Sequence, residues 1–242
     1  MPEIEIDDSL AVPTTSSALA ALRARPMHAE RAKHFELHSF EVIEDAQAAA
    51  ATASAEGYRA PAPAPASSLR FGDVEHQRVA AAIGLRRLGV ITESTRGITI
   101  NKEMWATPDG AATVSLTDPD RYFVATYFDD GSAQLTWKHA EPRTKSQPGT
   151  LVSSGGTGDL RADVAAHMAR VKVELSRGRR FFKVDHIEVA NELGRHYYRH
   201  VVPLDLIVAN EQVRRANAQA PKLLVGIGAL LVVGIVVALL AR

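Results

Sequence analysis

Basic side chains crowd into one short stretch of the chain, and two phenylalanines lie among them. The stretch contains Arg177, Arg179, Arg180 and Lys183, and Arg214, Arg215 and Lys222 follow further along. Guanidinium and ammonium groups bind anions, and each basic group at an anionic leaflet contributes about 1 kcal/mol. The pattern predicts contact with anionic lipid head groups. A solvated face of mixed charge is the alternative, since Glu174, Asp185, Glu188 and Glu192 are interspersed, and nucleic acid is a weaker one.

Histidines offer a second chemistry, because two pairs have the i, i+4 spacing that puts both rings on one helix face. These pairs are His34 with His38 and His196 with His200. Zinc needs three or four ligands, and the sequence supplies no complete set, so no metal site is predicted and His196 and His200 stay weak candidates. A hydrolase or metal-dependent enzyme that uses His186, His196 or His200 is the alternative to a binding protein.

A glycine-rich turn, SSGGTGD at 153–159, precedes a helical pattern, and helix N-termini attract phosphate. The turn lacks the Lys-Ser/Thr pair of a Walker loop and the spacing of a dinucleotide fingerprint. The pattern therefore favours a loop capped by Thr157 or Asp159, and no cofactor is predicted.

The segment 223–241 carries no charge and no side-chain hydrogen-bonding group. Nineteen helical residues span about 28 Å, which matches the hydrocarbon core of a bilayer. The sequence predicts a single-pass tail anchor over 222–242, and the basic residues before it predict a cytoplasmic N-terminal side. Gly226, Gly234 and Ala238 form a small-residue stripe that suggests a homodimer contact between spans.

The elements before this anchor divide into three parts. Residues 1–70 are rich in Ala, Pro and Ser and predict a disordered acidic arm, in which residues 1–50 would capture an unidentified protein partner. Residues 71–203 predict a folded cytoplasmic domain, and 204–221 a juxtamembrane connection.

Strand and turn signals within 71–203 predict an α+β fold, an antiparallel meander packed with two to three helices. The predicted strands are 97–101, 103–107, 111–117, 121–128, 133–139 and 179–184. Three helices are predicted: one capped by Asp73 and ending near Gly89, one from about Asp159 to Gly178, and one from His186 to Val202. A capping box of Asp185 and Glu188 should open the last helix.

The charge distribution agrees with this organisation. The 28 basic and 28 acidic residues cancel, but residues 1–70 carry −4 and residues 160–220 carry +4. Cysteine is absent, which excludes disulfides and thiolate chemistry. The sequence thus predicts a tail-anchored binding or scaffolding protein with a basic membrane-proximal face, which would lie in the inner membrane if the chain is bacterial.

Overall fold

The computed structural model describes residues 6–24, 26, 32, 38–47, 71–95, 98–117, 121–138 and 153–201. The predicted connection 204–221, the predicted anchor 222–242 and the candidate residues Arg214, Arg215, Lys222, Gly226, Gly234 and Ala238 lie outside these residues. His34 lies outside them as well. Within the described ranges, no helix has the length and apolarity needed to cross a bilayer.

The α+β prediction is confirmed, because one sheet of mainly antiparallel strands packs with α-helices. The strands in chain order are β1 (Ala11–Val12), β2 (His38–Asp45), β3 (Arg86–Thr95), β4 (Ile98–Ala106), β5 (Thr113–Thr117), β6 (Arg121–Tyr127), β7 (Ala133–Trp137), β8 (Ser153–Gly155) and β9 (Phe181–Phe182). Strands β2 to β7 pair antiparallel in sequence order, and β8 adds to β7 in parallel. The meander forms because short polar turns join consecutive strands, with positive φ at Gly110 and Gly131.

Four α-helices accompany the sheet. They are α1 (Ser16–Ala24), α2 (Val74–Ala82), α3 (Leu160–Ser176) and α4 (Ile187–His196). Asp73 caps α2 as predicted, and of the two predicted caps Thr157 and Asp159 it is Asp159 that caps α3, since each carboxylate accepts backbone N–H bonds from the first turn. A short 3-10 turn, Asp8–Leu10, precedes β1, and a π-helical turn, Tyr197–Val201, continues α4.

Three local predictions need correction. Helix α2 ends at Ala82 rather than near Gly89, because Gly84 takes a φ of +81° and the following residues enter β3. The strand predicted over 179–184 is only Phe181–Phe182. No capping box opens α4: His186 is the N-cap and makes no side-chain cap bond, while the backbone carbonyl of Asp185 accepts from Arg86.

The structure also differs from the predicted disordered arm at two segments within 1–70. Strand β2 forms the first strand of the sheet against β3, and Glu44 on β2 reaches Arg87, which also binds Glu103. Glu44 and Glu103 are buried, so this strand is fixed by a charge pairing that its own local sequence does not reveal.

The second segment, residues 6–24, is called the N-terminal strap here. Ile6 lies in the main core cluster, β1 pairs in parallel with β9, and α1 packs on α4. The strap therefore runs alongside the segment 177–186 that joins α3 to α4.

The helices cover both faces of the sheet. His167 of α3 bonds Thr126, whereas Tyr197, directly after α4, contacts the ring of Tyr127. Because Thr126 and Tyr127 are neighbours in β6, their side chains point to opposite faces. Helix α3 thus packs on one face and α4 on the other.

Gly89 marks the irregular point of β3, where the pairing with β4 shifts. Its φ is +146°, and a Cβ there would lie 2.0 Å from the carbonyl oxygen of Glu44 and 2.6 Å from Ile187 Cδ1. Only glycine lets β2 and α4 approach β3 this closely.

Candidate functional site: the outer face of helix α3 and the segment after it

The acidic and the basic side chains of helix α3 lie on different sides of the helix. Its inward arc contains apolar residues together with the two acidic residues of the helix, Asp163 at 2% exposure and Glu174 at 8%. Its exposed arc contains Arg161, Lys172 and, at the C-cap, Arg177, with small residues and the exposed Val173 between them. Within Leu160–Ser176 both acids are therefore buried and the exposed charged side chains are basic, whereas the N-cap Asp159, just before the helix, is acidic and exposed.

Asp163 is held by donors from three directions. The Tyr122 hydroxyl donates to its carboxylate, and so do the backbone N–H groups of Thr157 (2.7 Å) and Gly158 (3.3 Å). Burial opposes its ionisation, but these hydrogen bonds outweigh that effect and hold the pKa of Asp163 below its usual range. The glycine-rich turn thus directs its N–H groups to the chain's own carboxylate, and at those two donors Asp163 takes the place a phosphate would need.

His167 lies one turn after Asp163 and is fully buried. Its ring nitrogens are 3.1 Å from the Thr126 hydroxyl and 3.0 Å from the Thr136 hydroxyl. Burial, aided by the positive charge of Arg170, lowers the pKa of His167 to about 3. This ring is neutral at ordinary pH and fixes α3 to the sheet.

Glu174 binds two of the predicted lipid-contact residues. Arg177 donates to one of its oxygens at 2.7 Å, and Arg179 binds the other oxygen and also Asp130, at 2.9 Å. The hydrogen bond from Arg179 to Asp130 raises the pKa of Arg179 above its usual range, against the effect of partial burial. Arg179 is therefore committed to two carboxylates, whereas the side chain of Arg177 stays 64% exposed.

Arg180 and Lys183 flank β9 and meet the N-terminal strap. Arg180 is exposed and donates to the carbonyl of Ala11, and the backbone N–H of Lys183 donates to the carbonyl of Val12. Lys183 and Asp185 line an open groove of about 460 Å³ with strap residues Ala11, Pro13, Thr14 and Thr15. Of the four described candidates, Arg177 and Arg180 offer the most exposed charge.

Arg161 and Lys172 are also exposed on α3 but are not among the predicted contact residues. They are eleven positions apart, about three helical turns, so both lie on one side of α3. The helical period that placed Leu160, Val164 and Val171 inward could have placed them outward. We call Arg161, Lys172, Arg177 and Arg180 the basic face.

The histidine candidates lie on the other helical layer. The His196 and His200 rings are 4.7 Å apart, and His186 is 55% exposed beside Asp185, at 3.9 Å. No group of three or more His, Cys, Asp or Glu side chains that could hold a metal ion occurs among the described residues. His38 begins β2, and its predicted partner His34 lies outside the described residues.

Comparison of the chain with protein-family models, with curated proteins and with solved structures finds no match. The geometry of the site therefore carries the functional argument by itself.

Proposed function

We propose that this chain is a membrane-anchored binding protein whose α+β domain presents the basic face to anionic lipid head groups. The apolar segment 223–241 is the anchor, and the domain lies on the cytoplasmic side, where basic residues gather before the segment. The supporting observation is the separation of charge on α3: its acids are buried and bonded, and its exposed charges are basic.

This arrangement favours anionic surfaces for an electrostatic reason. Acidic side chains that lie inward and are already bonded repel an approaching phosphate less than exposed ones would, because they lie further from it and hydrogen-bond donors already compensate part of their charge. At about 1 kcal/mol for each cation near the leaflet, the four residues of the basic face strengthen attachment by about 4 kcal/mol. The small side chains Ala162, Ala166 and Ala169 between them let the helix approach a flat surface closely.

The absence of cysteine makes the test direct, since one introduced thiol labels one position. A fluorophore on Ser176→Cys, on the exposed side of α3, reports proximity to nitroxide lipids in nanodiscs that hold the full chain. We expect strong quenching with anionic lipid, weak quenching with neutral lipid, and loss of the difference at high salt. The matched control is Ser39→Cys, an exposed position on β2.

Equal quenching at the two positions, or quenching that ignores lipid charge and salt, would overturn the basic face as a lipid contact. Charge reversal at Arg161 and Lys172 should remove the anionic preference while the fold remains. The anchor is checked separately: the full chain should resist alkaline extraction from membranes, and a chain ending at residue 221 should not.

A further inference from the structure

Helix α4 ends in an unusual turn that brings two histidine rings together. The π-helical turn Tyr197–Val201 follows His196 directly, and the rings of His196 and His200 lie 4.7 Å apart with their planes inclined at 34°. Turns of this kind are rare, occur mostly as short interruptions of α-helices and are frequent at functional sites. Neither ring belongs to the basic face, so the turn holds titratable groups that the proposed lipid contact does not use.

The turn is packed against the sheet when it is closed. His196 and Tyr197 are each 7% exposed. From the sheet, the titratable side chain that meets the turn is Tyr127, whose ring lies edge-on to that of Tyr197 with the ring centres 6.3 Å apart. The backbone N–H of Tyr197 donates to the carbonyls of Gly194 and Leu193. Opening of the turn would therefore bring both His196 and Tyr197 into water.

The charges described at this end of α4 are mainly positive. Arg195 and Arg199 lie on either side of His196 along the chain. Burial lowers the pKa of Arg199, and the charge of Arg195 lowers it further, whereas Glu192 acts in the opposite direction. Glu192 already binds two cations, because one of its oxygens accepts from Arg23 of the strap at 2.8 Å and the other from Arg195 at 3.3 Å. Additional positive charge is therefore unfavourable here.

Protons on the two rings would add such charge. A histidine in water takes up its proton near pH 6.5. Protonation of both rings in the closed turn would place two positive charges 4.7 Å apart, next to Arg195 and Arg199. In an open turn the rings are separated and hydrated, so the open form binds protons more readily than the closed form. A pH below about 6.5 therefore shifts the equilibrium toward the open form, by at most about tenfold per pH unit for each ring.

We propose that Tyr197–Val201 is an acid-sensitive turn, which is closed while His196 and His200 are neutral and opens when both are protonated. Opening converts five helical residues, about 8 Å long, into a segment that reaches at most about 17 Å. Because the turn precedes segment 204–221, acid would lengthen the link between the domain and the predicted anchor. Only this consequence rests on the proposed function, and the opening itself does not.

The test measures amide deuterium exchange of the full chain in nanodiscs at pH 7.5 and 5.0, corrected for the intrinsic effect of pH. This range lies above the usual pKa of carboxylates. We expect the protection of residues 193–201 to fall about tenfold or more in acid. His200→Gln, which leaves one titrating ring, should make this fall about threefold smaller or less still. The protection of α3 should change by the same factor in both chains, because His167 is present in both.

Two further variants separate charge from packing. His200→Lys places a permanent positive charge in the turn, so residues 193–201 should lose about fivefold or more of their protection already at pH 7.5. His200→Gln should keep its protection at that pH within about twofold of the wild type. The matched control is His186→Gln at the start of α4, where the histidine is 55% exposed, and it should respond to acid as the wild type does.

Three outcomes would overturn the acid-sensitive turn. The first is unchanged protection of residues 193–201 in the wild-type chain between the two pH values, and the second is an equal acid response in the wild type and His200→Gln. The third is equal protection at pH 7.5 in His200→Lys and His200→Gln, because packing rather than charge would then close the turn.

Alkaline extraction of the same chains reports on the anchor separately. If the chain stays in the membrane and residues 193–201 ignore acid, the anchor stands and the acid-sensitive turn fails. If the chain is extracted and the response of residues 193–201 depends on His200, the anchor fails and the acid-sensitive turn stands.

Discussion

Helices α3 and α4 lie on opposite faces of one sheet and use buried acids in opposite ways. In α3, Asp163 receives its donors from the sheet and from the turn before the helix. In α4, Glu192 receives Arg23 from the strap and Arg195 from its own helix. The inner side of α3 is held by contacts within the domain and its outer side is exposed, whereas α4 is contacted by a segment from a distant part of the chain.

The strongest way to test this contrast is to remove the inward acid of α3. Asp163→Ala leaves the Tyr122 hydroxyl and two backbone N–H groups without their acceptor, so we expect a loss of about 3–5 kcal/mol in the free energy of unfolding. Urea denaturation of the full chain measures it. Asp163→Asn, which keeps one acceptor oxygen, should lose less, and a loss below about 1 kcal/mol in the alanine variant would contradict the assignment.

The buried ring of α3 should make stability depend on pH. Unfolded His167 takes up a proton near pH 6.5, whereas the folded ring does so only near about pH 3. Between these values the unfolded state binds more protons, so stability falls as the pH is lowered, by at most about 1.4 kcal/mol per pH unit from this group.

Denaturation midpoints between pH 7 and 4.5 measure the effect, and this range lies above the usual pKa of an unfolded aspartate. The variant His167→Gln keeps hydrogen-bonding capacity without a titrating ring. Its stability should fall less steeply over the same range, and an identical slope in both proteins would rule out His167 as the cause.

The smallest effect is expected on the α4 side. Glu192→Ala removes the ion pairs with Arg23 and Arg195, whose side chains are 57% and 32% exposed, so the loss should be about 1 kcal/mol. Deuterium exchange should speed up in α1 and leave α3 unchanged. Faster exchange in both helices would show that the strap and α3 unfold as one unit and would remove the contrast between the two layers.

The meander could be predicted from the sequence because its information is local. Turns such as Pro108-Asp109-Gly110 indicate hairpins. Asp73 and Asp159 indicate where helices begin, because each is a typical N-cap residue that bonds the first turn. Strand β2 and the strap could not be predicted in this way. Their stability comes from Arg87, from Glu192 and from the β9 edge, which lie far along the chain, and their alanine-rich and proline-rich surroundings resemble an unfolded segment.

Only part of the candidate site could be predicted, because sequence patterns show local composition and not contacts between distant residues. The run from Arg177 to Lys183 is visible as composition, but composition does not show that Arg179 is bound by Asp130 and Glu174. Arg161 and Lys172 required the helical period to be applied to charged residues as well as apolar ones.

Gly89 sets the register of β2, the long strand that lies outside the predicted domain 71–203. The carbonyl oxygen of Glu44 on β2 approaches Gly89 too closely for any side chain there. A slip of one residue in the pairing would turn Phe40 and Val42 to the opposite face and separate Glu44 from Arg87. Gly89 therefore specifies the register of β2 on β3. This register is set by contacts at one position and does not depend on the length of the segment that precedes β2.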